Sequence, residues 1–170
     1  MNRRLPLLLS VLVLAFGGFA GWGAHRSLAV RDTPDVRNVA LTENARTAEV
    51  LSRVTAAVER LFSYDHLDPD ETHQAVRELL TGDAIVQYEQ LFGPLRKAAP
   101  ERGLVLTTKV SHAAVRSLDG DRAHLLVFAD QIGTTADDPR ESAGAAAMLA
   151  VDAVRRDGRW LLSALDRLDG

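Results

Sequence analysis

The chain has 170 residues, 46% of them apolar and 25% charged, with a net charge of −3. That balance is globular and is not basic enough to neutralise a nucleic-acid backbone, so a DNA or RNA partner is not expected. There is no cysteine, which excludes disulfides, a thiolate nucleophile, thiolate metal sites and a lipid-modified N-terminal Cys.

Arg3 and Arg4 precede an uncharged run from Leu5 to Ala24. At 1.5 Å per helical residue such a run reaches roughly 30 Å, enough to cross the hydrocarbon core of a bilayer. Trp22 falls near its outer end, where an amphipathic ring prefers to sit. A cleaved signal peptide is the rival reading, and Gly18-Phe19-Ala20 and Ser27-Leu28-Ala29 are passable cleavage sites. The length favours an uncleaved anchor, since the apolar part of a signal is usually about 7–15 residues. The expectation is a cytoplasmic-membrane anchor over 1–24 with the short N-terminal tail inside. A linker over 25–36 and an α+β domain outside the cytoplasm over 37–170 follow.

Thr33-Pro34 is a helix-start signal. Val50, Leu51, Val54, Val58, Leu61 and Phe62 recur at spacings that put them on one face, so a long amphipathic helix is expected over 36–62. Asp68-Pro69-Asp70-Glu71 starts a second helix, with Val76, Leu79 and Leu80 as its stripe and Gly82 as its stop. Asp83 opens a third, carrying Ile85, Val86, Tyr88, Leu91 and Phe92; Gly93-Pro94 is expected to kink or end it.

After Gly103 the pattern changes to alternation. Leu104, Leu106, Thr108 and Val110 share one parity, but Val115 has the other, which a β-bulge near Ala113 explains. Asp119-Gly120 and Asp157-Gly158 are hairpin signals. They separate strands over 123–131, about 145–155, and one holding Trp160, Leu161, Leu162 and Leu165; residues 132–143 read as a polar loop. Leu125, Val127 and Ala129 point one way, while Leu126 and Phe128 point the other. A strand apolar on both faces is covered on both sides or lies at a subunit contact. Helices followed by two antiparallel hairpins make an α+β fold: three helices on a curved four-stranded sheet, forming a cone with room for a cavity.

No catalytic kit stands out. The five histidines lack the helical spacing of a zinc site, so no metal or other cofactor is expected. His112 and His124 could meet across the first hairpin, but two strand histidines at a sheet surface are the simpler reading. Tyr64-Asp65-His66 could be acid–base equipment; the plainer reading has Asp65 bonding the local backbone and Tyr64 covering the core. Asp130 ends an apolar strand, where a carboxylate inside the cone would have a raised pKa; Asp130-Gln131 equally fits the start of a loop. Tyr64, Asp65, Asp130, Gln131 and Trp160 are the cavity or interaction candidates.

Three stretches carry a family resemblance: Phe62-Ser63-Tyr64-Asp65, Leu125-Leu126-Val127-Phe128-Ala129-Asp130-Gln131, and Gly158-Arg159-Trp160. Their order and spacing resemble the Mce-associated membrane proteins of actinobacteria, over nearly the whole chain. His66 departs from that pattern, which has an aromatic residue there. The resemblance implies a domain like nuclear transport factor 2, a cone also used by inner-membrane components of type IV secretion systems. It further implies a non-enzymatic accessory or scaffold role beside Mce lipid importers, with their transporter subunits, or a second copy, as partners. A lipid-binding module, or an isomerase-like enzyme using the cone's cavity, is the alternative.

Overall fold

The structure, a computed structural model, describes residues 34–136 and 142–168. The expected anchor and most of the linker lie outside the described residues. Among the described residues no helix is long and apolar enough to cross a membrane. The chain divides into two compact units, Met1–Arg46 and Thr47–Gly170. Of the first, the described part is helical, and its residues Thr42 to Ala45 are exposed.

Helix α1 (Pro34–Leu61) runs as its spacing predicts, and Val50, Val54, Val58 and Leu61 are its buried face. Strand β1 (Tyr64–Asp65) follows, then α2 (Pro69–Leu79) and α3 (Ala84–Arg102). Asp68 caps α2, its carboxylate accepting the Glu71 N–H, and Pro69 takes the first turn. Gly82 does not close α2. The helix ends at Leu79, and Leu80 is extended and bridges Leu162 of the last strand in parallel. Gly82, at φ +59°, instead lies in the turn before α3. Gly93-Pro94 does not end α3 either. The helix continues through Pro94 and Pro100 to a left-handed Gly103 cap. Phe92 and Ala99, buried on either side of Pro94, hold the helix to the core, and that packing outweighs one missing backbone hydrogen bond.

The sheet is antiparallel in the order β1-β2-β3-β4-β5, with β2 (Val105–Asp119), β3 (Arg122–Thr134), β4 (Ser142–Arg156) and β5 (Arg159–Arg167). It therefore has five strands rather than the expected four. The additional one is β1, whose Tyr64 and Asp65 pair with Leu106 and Val105. Two residues are too few for a period-2 signal, and the pairing is set by a partner far along the chain.

The slip of parity in β2 is real and occurs twice, with register shifts between Val110 and His112 and between Val115 and Ser117. The core-facing set moves accordingly from Leu106, Thr108 and Val110 to Ala113 and Val115, then to Leu118. The two hairpin turns differ. Asp157-Gly158 forms the second loop, both residues at positive φ, as the mirror-image type I turn requires. In the first, Asp119 pairs with Arg122, so the loop is Gly120-Asp121, one residue later than expected, with Gly120 at φ +55°. A Cβ at Gly120 would meet nothing within 4 Å, so substitution there tests backbone strain alone. Gly120→Val should lower stability by about 1–2 kcal/mol. That reads as a lower urea midpoint at unchanged slope; an unchanged midpoint would contradict the positive φ.

The three helices pack on one face of the sheet. Leu61, Tyr88 and Phe92 from the helices meet Leu125, Val127, Val151, Leu162 and Leu165 from the strands. Phe62, Tyr88 and Phe92 form an aromatic trio with ring centroids 5.5 Å apart in each pair. The buried Tyr88 hydroxyl donates to the Leu61 carbonyl at 2.7 Å, and burial raises its pKa.

Candidate functional site

β3 is the central strand, and its alternation creates two different surfaces. Ala123, Leu125, Val127 and Ala129 are buried against the helices. Leu126, Phe128, Asp130 and Ile132 have the opposite parity and face outward. Cross-strand pairing sets their neighbours: Phe128 lies between His112 and Met148, Leu126 between Ala114 and Ala150, and Ile132 between Thr107 and Gly144. Phe128 is 43% exposed and Ile132 57%. The outer face therefore opens Phe128 and Ile132 to solvent, beside Ala146, Met148 and Ala150 of β4, with Lys109, His112 and Asp130 among them. Its rim holds a close pair, His124 Nδ1 and Asp152 Oδ1 at 2.6 Å.

The inner face holds a cavity of about 350 Å³ between α3 and the end of the sheet, walled by Phe62, Leu91, Phe92, Leu95 and Leu149. Its polar corner is built by Thr108 and Gln131. The Thr108 hydroxyl donates to the Phe62 carbonyl at 2.6 Å. Gln131 Nε2 donates to Thr108 Oγ1 at 3.1 Å and to the same carbonyl at 3.4 Å. The Thr108 N–H in turn reaches Ser63 Oγ at 3.0 Å. This knot ties the end of α1 to β2 and β3, and Arg167 adds a second polar group to the cavity lining. Such a pocket can admit an apolar group but presents no acid–base pair.

The five candidate residues do not converge. Gln131 lines the cavity. Asp130 does not: it is exposed on the outer face, opposite Lys109, so the expected carboxylate inside the cone is corrected by the parity of β3. Tyr64 is buried at the β1 edge, covering the core. Asp65 accepts the Leu67 N–H at 2.8 Å, the local backbone role. Trp160 is buried on β5 and pairs with Arg155, at the far end of β4 from Ala145, the partner of Gln131. His112 and His124 do not meet, since they oppose Phe128 and Ser117. Among the described residues no three His, Asp or Glu side chains are placed to hold a metal ion. Sequence reasoning missed Phe92 and Thr108 as cavity walls. The signal for the outer patch was present in the double-sided apolar pattern of β3.

No model of a known protein family matches the chain. Among individual proteins, the uncharacterized protein Rv1362c of Mycobacterium tuberculosis is 30% identical over 162 residues, which is 95% of this chain and 70% of the relative. The outer membrane protein Rv1973 of the same species is 30% identical over 157 residues, 92% of this chain and 91% of the relative. The chain belongs to the family of these mycobacterial proteins. Solved structures place the family's domain among known folds. An IcmL-like type IV secretion system protein from Legionella pneumophila superposes with a TM-score of 0.62 at 8% identity, over 71% of this chain and 91% of that one. CagV, a VirB8 homolog from Helicobacter pylori, gives 0.59 at 12% identity, over 72% and 98%. At such identities the likeness is one of fold: the cone of nuclear transport factor 2-like domains.

Proposed function

We propose that the protein is a non-enzymatic scaffold subunit of an Mce-type lipid import complex in the cell envelope. Residues 5–24 anchor it in the cytoplasmic membrane, with the N-terminus inside and the domain outside the cytoplasm. The observation that carries this reading is the solvent-open apolar cluster of Phe128, Ile132 and Met148 on the outer face of the sheet. A patch of this kind on a folded domain is a contact surface, and the occupant we assign to it is a transporter subunit of the same complex. An anchor confines the domain beside other membrane subunits, where a high effective concentration makes a modest patch sufficient. The reading is supported by the resemblance in Phe62–Asp65, Leu125–Gln131 and Gly158–Trp160, by a relative named as an outer membrane protein, and by the use of the same cone in secretion-system proteins.

The test is made in the intact cell with tagged full-length protein. Phe128→Asp places a charge in the patch without touching the core. It should abolish lipid uptake and the co-purification of transporter subunits, with the melting temperature unchanged. Asp130→Asn, which removes a carboxylate but keeps its shape, should preserve both. Intact uptake in Phe128→Asp would sink the scaffold reading. Loss of uptake in a folded Asp130→Asn that still holds its partners would indicate chemistry instead. If Phe128→Asp dissociates a homodimer while transporter subunits stay bound, the patch serves a second copy.

A further inference from the structure

A second cavity, of about 380 Å³, lies away from both surfaces described above, between the middle of α1, the end of α2 and the β4–β5 turn. Its rim carries three arginines, Arg53, Arg60 and Arg159, against one carboxylate, Glu78. Glu78 is already engaged. It accepts from Arg60 at 2.7 Å and from Gln74 at 2.6 Å, and these bonds, Arg60's first, hold its pKa below the usual carboxylate range. Among the described residues the side chains of Arg53 and Arg159 make no hydrogen bond and no ion pair within 4 Å, although the charge of Arg159 also helps to lower the Glu78 pKa. Three guanidinium groups therefore share one carboxylate at the mouth of a concave site, which leaves the rim with an excess of positive charge. The floor is different in character: Ala57, Leu79, Leu161 and the ring of Trp160 are apolar.

Trp160 lies in the floor of this cavity. The residue is 6% exposed, and its indole Nε1 is buried without an acceptor. A buried N–H normally finds a partner, and leaving one unpaired is unfavourable. Trp160 lines the same cavity, but its Nε1 is shielded from the open space. The excess of positive charge on the rim calls for an anion with several acceptor oxygens.

We propose that this cavity binds a phosphoryl group carried on an apolar body. The guanidinium fork matches phosphate geometry and is weakly hydrated, so it binds phosphate without a large desolvation penalty. The apolar floor accommodates the group to which the phosphate is esterified. That chemistry can come from a phospholipid headgroup or from soluble phosphate.

The experiment uses the full-length chain in a neutral detergent, with Trp22→Phe so that Trp160 is the only tryptophan. Its emission is titrated with dihexanoyl phosphatidic acid, with inorganic phosphate and with sodium chloride. Phosphatidic acid should shift the emission saturably, and Arg53→Gln with Arg159→Gln should weaken that binding by about tenfold or more. Saturable, arginine-dependent binding of inorganic phosphate, with no gain from the acyl chains, would support the site and identify soluble phosphate as its source. No saturable response to either phosphoryl probe, a response equalled by chloride, or unchanged affinity in the arginine variant would each overturn the proposal. Because Phe128 lies on the opposite face of the sheet, Phe128→Asp should leave this binding unchanged, so failure here is distinguishable from failure of the scaffold reading.

Discussion

Phe92→Ala should lower the stability of the domain by about 3–5 kcal/mol. Phe92 is 4% exposed on α3, and its ring meets Phe62 and Tyr88 at 5.5 Å between centroids. Truncation removes the transfer free energy of the ring and two aromatic contacts together. The side chain also walls the 350 Å³ cavity, so the vacated space joins an existing void and the lost contacts are not recovered by neighbours closing in. The measurement is urea unfolding of wild type and variant, with the slope checked for two-state behaviour. Val86→Ala on the same helix is the control. Val86 is 60% exposed, and its truncation should cost under about 0.5 kcal/mol. Equal losses would mean that the aromatic trio is not packed as described.

Thr108→Val should cost about 1–3 kcal/mol despite nearly conserving shape. Thr108 is 1% exposed, and its hydroxyl both donates to the Phe62 carbonyl and accepts from Gln131. Valine fills the space but can do neither. The Phe62 carbonyl keeps only the 3.4 Å contact from Gln131, and the Gln131 amide loses its better acceptor. The penalty arises from polar groups stripped of partners, not from lost packing. Thr108→Ser retains the hydroxyl and loses a methyl, so it should be the milder variant, and the contrast in unfolding midpoints separates the two causes. A Val variant as stable as wild type would show that the knot between α1, β2 and β3 contributes nothing.

Much of this fold is legible along the chain because it is built from local rules. The spacing from Val50 to Leu61 puts apolar side chains on one helical face, Asp68-Pro69 starts α2, and the glycines at 120 and 158 supply the positive φ of the turns. The slip of parity between Val110 and Val115 marks a bulge, since period-2 burial cannot otherwise change faces. The elements that escaped are those decided by distant partners. β1 exists because Tyr64 and Asp65 meet Val105 and Leu106, and a two-residue strand has no period of its own. α3 passes Pro94 because burial on either side outweighs a local break.

The candidate residues divide in the same way. The alternation of β3 by itself determined that one set of side chains is buried and that Phe128 needs a second environment. Asp130 shares the parity of Leu126 and Phe128, but whether the strand runs on through it or gives way to a loop was open in the sequence. The continuation of β3 to Thr134, with Asp130 paired to Lys109, carries that parity through and puts the carboxylate on the outer face. Gln131 and Trp160, both near strand ends in the sequence, proved to lie at opposite ends of β4, because antiparallel pairing reverses direction at each turn. The three arginines around Trp160 come from α1 and β5, and the carboxylate among them from α2. The sequence determined each residue's local geometry through spacing and turn chemistry. Only the tertiary structure, through non-local packing and register, decided which charges share a cavity.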